Sequence, residues 1–215
     1  MKDFPLYMQE LIQSIENLKQ SEIKEVIDSR LEEFSEAGKK EIDHIFKELC
    51  FCVMTANCGA EKCLEVHEGV DQGFLTFNEE ELSQKFKDLG YRFPNVRAQY
   101  IVENRAKIEH LQTMLTSEEH EEELRKWIVK NIKGLGYKEA SHFLRNIGYK
   151  NYAIVDRHIL DVLDTHSLIE KPKSMSKGRY LQIEEILKEL GSELKLNMAE
   201  LDLYLWYMET GKVLK

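Results

Sequence analysis

The amino-acid sequence predicts an all-α protein, and three observations carry that prediction. Hydrophobic residues make up 42% of the 215 positions, enough to bury a sizeable core. Only three prolines and eleven glycines punctuate the chain. β-Branched residues rarely alternate with polar ones, whereas apolar residues recur at helical spacing. Helices are therefore the expected element along the whole chain.

Six helices are predicted in the N-terminal half. In the second of them, the apolar residues between Ile23 and Phe34 lie on one face, and Gly38 is a natural C-terminal stop. The turn from Gly90 to Pro94 separates the last two. The predicted spans are 6–19, 21–36, 41–56, 59–66, 78–89 and 96–115.

Five more helices are predicted in the C-terminal half. Thr116 and Ser117 have the character of N-cap residues, and the acids that follow, beginning with Glu118 and Glu119, precede lysines at 126, 130 and 133. This order of charges matches the helix macrodipole. A basic, proline-containing loop covers 171–178. The predicted spans are about 117–133, 137–147, 156–166, 179–190 and 198–210.

Several classes of protein are disfavoured by the sequence. No apolar run approaches the roughly eighteen residues that a membrane span needs, and residues 1–5 lack a secretory core. A cytoplasmic protein without membrane contact is expected. Four cysteines fall within residues 50–63, in a spacing that matches no zinc pattern closely. Core packing is favoured over metal binding, and neither a metal nor a cofactor is expected.

The net charge of −9 does not exclude a nucleic-acid partner, because the charge is unevenly distributed. Between Arg125 and His158 there are eight lysines and arginines but only two acids, a local net charge of +6. A basic segment of this kind is the electrostatic signature of phosphate binding.

The segment Gly134-Leu135-Gly136 joins two predicted helices in a tight hairpin. Glycine accepts the left-handed conformations that such a turn needs. The amide groups of the turn and the N-terminus of the next helix form an anion site, to which Lys133 adds charge. A simple helix cap and turn is the alternative interpretation of Gly134 and Gly136.

Two side chains near the hairpin suit covalent catalysis. Lys138 lies in the first turn of the helix after Gly136, where the macrodipole disfavours a cation and so favours the neutral amine that a nucleophile requires. Asp156 follows eighteen residues later at the predicted N-terminus of another helix. An ordinary solvated lysine and a purely structural N-cap are the alternative interpretations.

These residues resemble a known family. The strings Gly134-Leu135-Gly136-Tyr137-Lys138-Glu139-Ala140 and Val155-Asp156-Arg157-His158 look like the signature of helix-hairpin-helix DNA glycosylases, and the short archaeal-type 8-oxoguanine DNA glycosylase/AP lyases are the most similar branch. The segments 49–57, 201–207 and 212–215 also look typical. The glycine or proline usual before the aspartate is absent. No cysteine follows Cys63, which argues against the iron–sulfur branch.

The resemblance implies two helical subdomains flanking a DNA-binding cleft. Residues 40–150 would form a barrel-like subdomain that contains the helix-hairpin-helix motif at about 117–148. Residues 1–39 and 151–215 would form the second subdomain. A monomer that binds double-stranded DNA containing oxidised guanine is expected.

The resemblance also assigns functions to single residues. Lys138 would form a Schiff base with the sugar and Asp156 would assist. Gly134, Gly136, Lys133 and His158 would bind DNA phosphates. Trp206 would stack on the extruded base, and Lys215, the last residue, would distinguish 8-oxoguanine from guanine. Independently of the resemblance, Arg92 and Phe93 lie in a predicted turn that suits wedging into the gap that the base leaves.

Three functions are therefore compatible with the sequence. The first is a bifunctional enzyme that removes 8-oxoguanine and cleaves the abasic strand by β-elimination. The second is a glycosylase for oxidised pyrimidines on the same scaffold. The third is a non-enzymatic helix-hairpin-helix DNA-binding module, which would have no use for Lys138 or Asp156.

Overall fold

The computed structural model describes residues 6–117 and 121–215, and these ranges contain thirteen α-helices and no strand. The all-α prediction is confirmed for this part of the chain. None of the described helices is long and apolar enough to cross a bilayer. In chain order the helices are α1 (Leu6–Lys19), α2 (Ile23–Ala37), α3 (Ile42–Thr55), α4 (Ala60–Val70), α5 (Gly73–Thr76), α6 (Glu79–Asp88), α7 (Pro94–Arg105), α8 (Ile108–Thr116), α9 (Glu121–Asn131), α10 (Tyr137–Asn146), α11 (Arg157–Thr165), α12 (Lys177–Leu194) and α13 (Met198–Thr210).

The chain divides into two compact units. The first, which we call the continuous unit, is Ala37–Ile147 and holds α3 to α10. The second, the discontinuous unit, combines Gly148–Lys215 with the N-terminal segment up to Glu36. It holds α1, α2 and α11 to α13.

Helix α3 is the centre of the continuous unit. Every residue from Leu49 to Thr55 is buried, and the helix packs against α4, α5, α7, α8 and α10. A helix that is apolar on all sides needs neighbours on all sides. Burying one large side chain such as Phe46 or Phe51 contributes about 1.5–3 kcal/mol. Helix α3 therefore fixes where α10 lies within this unit.

The discontinuous unit is held together by α13. Helices α11, α12 and α1 all pack against it, and α1 also packs against α12. Asn197 caps α13, because its side chain accepts a hydrogen bond from the Glu200 amide while the Glu200 carboxylate accepts one from the Asn197 amide. Buried leucines on α13, such as Leu203, supply its part of the core.

The structure corrects the predicted helix at 96–115, which is two helices. Helix α7 ends at Arg105 and α8 begins at Ile108. The Arg105 guanidinium donates hydrogen bonds to the carbonyl oxygens of Gly73, Phe74 and Phe77, at 2.6–3.1 Å. Charge-assisted bonds of this kind are among the stronger ones in proteins. The break coincides with these tertiary bonds, which fix Arg105 against the α5 segment and which periodicity does not reveal.

Other boundaries also differ from the prediction. Helix α5 was not predicted, and α12 is longer at both ends than the predicted 179–190. Thr116 is the last residue of α8, and the Ser117 hydroxyl donates back to the Met114 carbonyl oxygen. The N-cap function predicted for Thr116 is therefore wrong, and a cap formed by Ser117 would involve residues outside the described ranges. Glu118 and Glu119, predicted to begin the next helix, lie outside the described residues.

Candidate active site

The predicted hairpin is present between α9 and α10. Gly134 has a φ of +86°, a left-handed conformation that favours glycine. A Cβ atom at this position would lie 2.8 Å from the Tyr100 ring and 3.3 Å from Val53. Gly136 is extended and is the N-cap residue of α10. The turn therefore needs glycine at 134 for its backbone conformation and for close packing.

Asn104 fixes the beginning of the turn. Its side-chain amide donates to the Lys133 carbonyl oxygen at 3.0 Å, and its side-chain oxygen accepts from the Lys133 amide at 2.8 Å. Asn104 itself is buried at the end of α7. Asn104 was not predicted from the sequence, because a contact across 29 positions leaves no local signal. The Lys133 side chain is left exposed to solvent.

Lys138 is the second residue of α10 and is half-buried, with 27% of its side chain exposed. Its amine lies 3.3 Å from the Glu139 carboxylate. The other oxygen of that carboxylate accepts a hydrogen bond from the Gly136 amide at 3.2 Å. Glu139 therefore joins the amide of the turn to the predicted nucleophile. Its position three residues after Gly136 is the spacing of a capping box, a signal available in the sequence.

The cysteines lie in the core near this helix. Cys50, Cys52 and Cys63 are buried, as the packing prediction required, whereas Cys58 is half-buried. Burial raises the pKa of the Cys63 thiol, the neighbouring Cys58 adds to this, and the positive charge of Lys138 opposes it. Cys63 is therefore a neutral, packed thiol. Among the described residues, no group of three or more His, Cys, Asp or Glu side chains could hold a metal ion.

Two of the eight basic residues in the predicted phosphate-binding segment are buried. Arg125 is 1% exposed and pairs with Glu122 at 2.9 Å. It also donates to the Ser141 hydroxyl and lies over the Tyr137 ring, so it ties α9 to α10. Arg145 is buried and donates to the Asn146 side chain. Fewer positive charges are therefore presented to solvent than the eight basic residues counted in this segment of the sequence.

Asp156 is the N-cap residue of α11, as predicted. Its carboxylate accepts a hydrogen bond from the Ile159 amide at 2.9 Å. Residues 152–155, which precede it, are buried and form no helix. An N-cap bond holds a side chain in one orientation. Asp156 is itself half-buried, so its carboxylate is ordered without being enclosed.

His158 and Trp206 lie against each other in the discontinuous unit. Their rings meet edge to face, with centroids 4.4 Å apart. His158 Nδ1 and Trp206 Nε1 are both buried atoms without a hydrogen-bond partner. The structure thus brings together a predicted phosphate ligand and a predicted base-stacking residue. Lys215, the other predicted base-recognition residue, is half-buried.

The predicted wedge residues lie together in a turn of the continuous unit. The exposed Arg92 places its guanidinium 4.9 Å from the centre of the Phe93 ring. Arg97 lies 5.7 Å from the same ring and 5.6 Å from the ring of Tyr100. Arg97 also donates to the Ala56 carbonyl oxygen. Both arginines therefore make cation–π contacts with the Phe93 ring.

The geometry of the hairpin predicts how a substitution at Gly134 changes the stability of the protein. Gly134→Ala is expected to lower the free energy of unfolding by about 2–3 kcal/mol. The left-handed conformation costs a non-glycine residue about 1–2 kcal/mol, and the Tyr100 ring must also shift. Urea denaturation measures the change. Gly211→Ala is the matched control, because Gly211 has a φ of +70° and nothing within 4 Å of an added Cβ. Equal losses in the two variants would contradict the Tyr100 contact.

A family model and two relatives match this chain in sequence. A model described as 8-oxoguanine DNA glycosylase, Ogg-HhH, matches residues 27–196. An 8-oxoguanine DNA glycosylase/AP lyase of Korarchaeum cryptofilum is 51% identical over 207 residues, which are 96% of this chain and 98% of that protein. The protein of the same name from Methanocaldococcus jannaschii is 50% identical over 206 residues, which are 95% of this chain and 99% of that protein.

Solved structures match over nearly the whole chain. The 8-oxoguanine glycosylase/lyase of M. jannaschii, crystallised in complex with a 15mer DNA containing 8-oxoguanine, gives a TM-score of 0.92 at 49% identity. The match covers 96% of this chain and 100% of that chain. The 8-oxoguanine DNA glycosylase of Thermotoga maritima gives a TM-score of 0.90 at 40% identity, with coverages of 97% and 100%.

Proposed function

The chain belongs to the 8-oxoguanine DNA glycosylase/AP lyase family, and from this premise we propose that it excises 8-oxoguanine from double-stranded DNA through a Schiff base at Lys138. One observation carries the assignment of the lysine. Lys138 is the second residue of α10, directly after a glycine turn with the character of a phosphate site, and it is only partly exposed. A DNA-binding module without catalysis would not need an amine there.

The proposed reaction has two stages. The Lys138 amine attacks the anomeric carbon of the damaged nucleotide, a C–N bond forms, and the bond to the base breaks with its electron pair leaving on the base. Opening of the sugar ring gives a protonated imine. Loss of a proton from the neighbouring carbon then expels the 3′ phosphate, which cleaves the strand, and water releases the enzyme.

Asp156 is proposed to act on the sugar. The positive charge that develops there as the base leaves would be stabilised by a fixed carboxylate. The hydrogen bond from the Ile159 amide supports this function, because it holds the carboxylate in place before substrate binds. The same carboxylate would accept or return protons as the imine forms.

Contacts to the DNA are proposed from the two units separately. The turn residues Gly134 and Gly136, with the exposed Lys133 side chain, would hold one phosphate, and His158 would contact another. Trp206 and Lys215 would receive the extruded base, and Arg92 with Phe93 would fill its place in the stack. A monomer suffices for all of these contacts.

Borohydride trapping tests the proposed function directly. The protein is mixed with duplexes that contain 8-oxoguanine, thymine glycol or no lesion, and sodium borohydride is added. Reduction of a Schiff base should give a covalent protein–DNA adduct with the 8-oxoguanine duplex above all. Mass spectrometry of the adduct should place the modification on Lys138. Preferential trapping with thymine glycol would indicate an oxidised-pyrimidine enzyme, and no adduct with any duplex would refute the Schiff-base mechanism.

Deleting Lys215 is expected to reduce discrimination between 8-oxoguanine and guanine by roughly 10- to 100-fold. A hydrogen bond that involves a charged group contributes about 1.5–3 kcal/mol, and only the oxidised base would offer its partner. Single-turnover excision rates on matched duplexes measure the ratio. Lys212→Ala, at an exposed position of the same segment, is the control. An unchanged ratio would remove Lys215 from the base-recognition site.

A further inference from the structure

We propose that Tyr180 of α12 is a positioning residue for Asp156, with Glu184 as its partner. The inference rests on the proposed function of Asp156. It adds the two side chains that keep Asp156 in position. Residues 152–155 enter α11 as a buried, non-helical segment. Such a segment lacks the repeating hydrogen bonds of a helix, so its backbone polar groups need partners from elsewhere.

The Tyr180 hydroxyl supplies two of those partners. It donates to the Ala153 carbonyl oxygen at 2.7 Å and accepts from the Val155 amide at 3.3 Å. Tyr180 is 2% exposed, so these bonds form away from water. One oxygen atom therefore joins two backbone groups two residues apart, and the second of them directly precedes Asp156.

Glu184 holds the same segment one helical turn further along α12. Its carboxylate accepts from the Ala153 amide at 3.2 Å, and it is 1% exposed. Residues four apart on a helix share a face, so Tyr180 and Glu184 contact the segment from one side. Together they bind both the amide and the carbonyl group of Ala153. A buried carboxylate is costly unless it is hydrogen-bonded, and the backbone amide provides such a bond.

The position of Asp156 follows from these bonds. Val155 is fixed by Tyr180, the Asp156 amide bonds to the Ile154 carbonyl oxygen, and the Asp156 carboxylate binds the Ile159 amide. The aspartate is thus held on both sides along the chain. Displacing a catalytic group by about 1 Å can cost on the order of 100-fold in rate. The loop before the aspartate gains its rigidity here from side chains of α12.

Tyr180→Phe is the sharpest test, because it removes the hydroxyl and keeps the ring in the core. We expect base excision under single-turnover conditions to slow by roughly 10- to 100-fold. The dissociation constant for lesion DNA should stay within about twofold, because a displaced carboxylate affects the reacting sugar more than the phosphate contacts. Tyr204→Phe, which removes another buried tyrosine hydroxyl in the discontinuous unit, is the matched control and should cleave at the wild-type rate.

A double-mutant cycle separates positioning from a general structural effect. If Tyr180 acts through Asp156, Tyr180→Phe should cause no further loss of rate in an Asp156→Asn background. Two results would overturn the inference while Asp156→Asn itself remains slow. One is a double variant whose loss of rate is the product of the two single losses, and the other is a wild-type rate for Tyr180→Phe alone. A wild-type rate for Asp156→Asn would instead refute the proposed function of Asp156 and the inference with it.

Discussion

Lys138→Gln is expected to abolish the borohydride-trapped adduct and to slow excision of 8-oxoguanine by about 1000-fold or more. The amide of glutamine has nearly the length of the lysine side chain but no nucleophilic amine, so neither the C–N bond nor the imine can form. A loss of about 1000-fold corresponds to roughly 4 kcal/mol of transition-state stabilisation. Gel analysis of single-turnover reactions, with and without borohydride, measures both quantities.

Lys133→Gln is the matched control for this experiment. Lys133 lies on the same hairpin with an exposed side chain, and its proposed contact is a phosphate rather than the sugar. Loss of the Lys133 charge should weaken DNA binding. It should also make the slope of the logarithm of the association constant for DNA against the logarithm of the salt concentration shallower by about 0.9. At saturating protein it should still form the adduct. A persistent adduct in Lys138→Gln would assign the Schiff base to another amine.

Substitutions at Asp156 should separate its capping function from its chemistry. Asp156→Asn is expected to reduce excision by roughly 100-fold or more while the free energy of unfolding changes little, because asparagine caps helices as well as aspartate does. Asp156→Ala should lose activity to the same extent and also about 1 kcal/mol of stability, since the bond to the Ile159 amide disappears. Excision rates and urea denaturation of both variants measure the two effects.

The two Asp156 variants can also contradict the proposed catalytic function of this residue. If Asp156→Asn excises 8-oxoguanine at the wild-type rate and only Asp156→Ala is impaired, the carboxylate serves as a helix cap alone. Asp164→Asn is a useful comparison, because Asp164 is exposed on α11 and accepts a hydrogen bond from the Lys171 amide. It should retain full activity.

The sequence predicted the helices well where local chemistry determines them. The glycine turn at Gly134 and the N-cap at Asp156 follow from residue type and spacing, and both are present. The break between α7 and α8 could not be predicted, because the bonds of Arg105 reach carbonyl groups about thirty residues away. Periodicity reports which face of a helix is apolar and is insensitive to such distant partners.

The sequence predicted the residue types of the candidate site, but it predicted the burial and the hydrogen-bond partners of those residues less well. The local net charge of +6 included Arg125 and Arg145 as if they were surface residues, but both are buried and have polar partners. Asn104 was missed because its partner is distant in the sequence. Glu139 was missed although its spacing from Gly136 is visible. A helix N-terminus offers amide donors, and the chain itself can supply the first acceptor.

That acceptor has a consequence for the phosphate contact proposed at the hairpin. The Gly136 amide already donates to Glu139, whose carboxylate also faces the Lys138 amine. A phosphate that bound to this amide, as proposed, would displace the Glu139 carboxylate, so one negative group would replace another. The net free energy gained from this contact would be smaller than at an amide without an acceptor, because the bond to Glu139 is lost. The displaced carboxylate would also move away from the Lys138 amine, so phosphate binding at the turn and exposure of the proposed nucleophile would be linked.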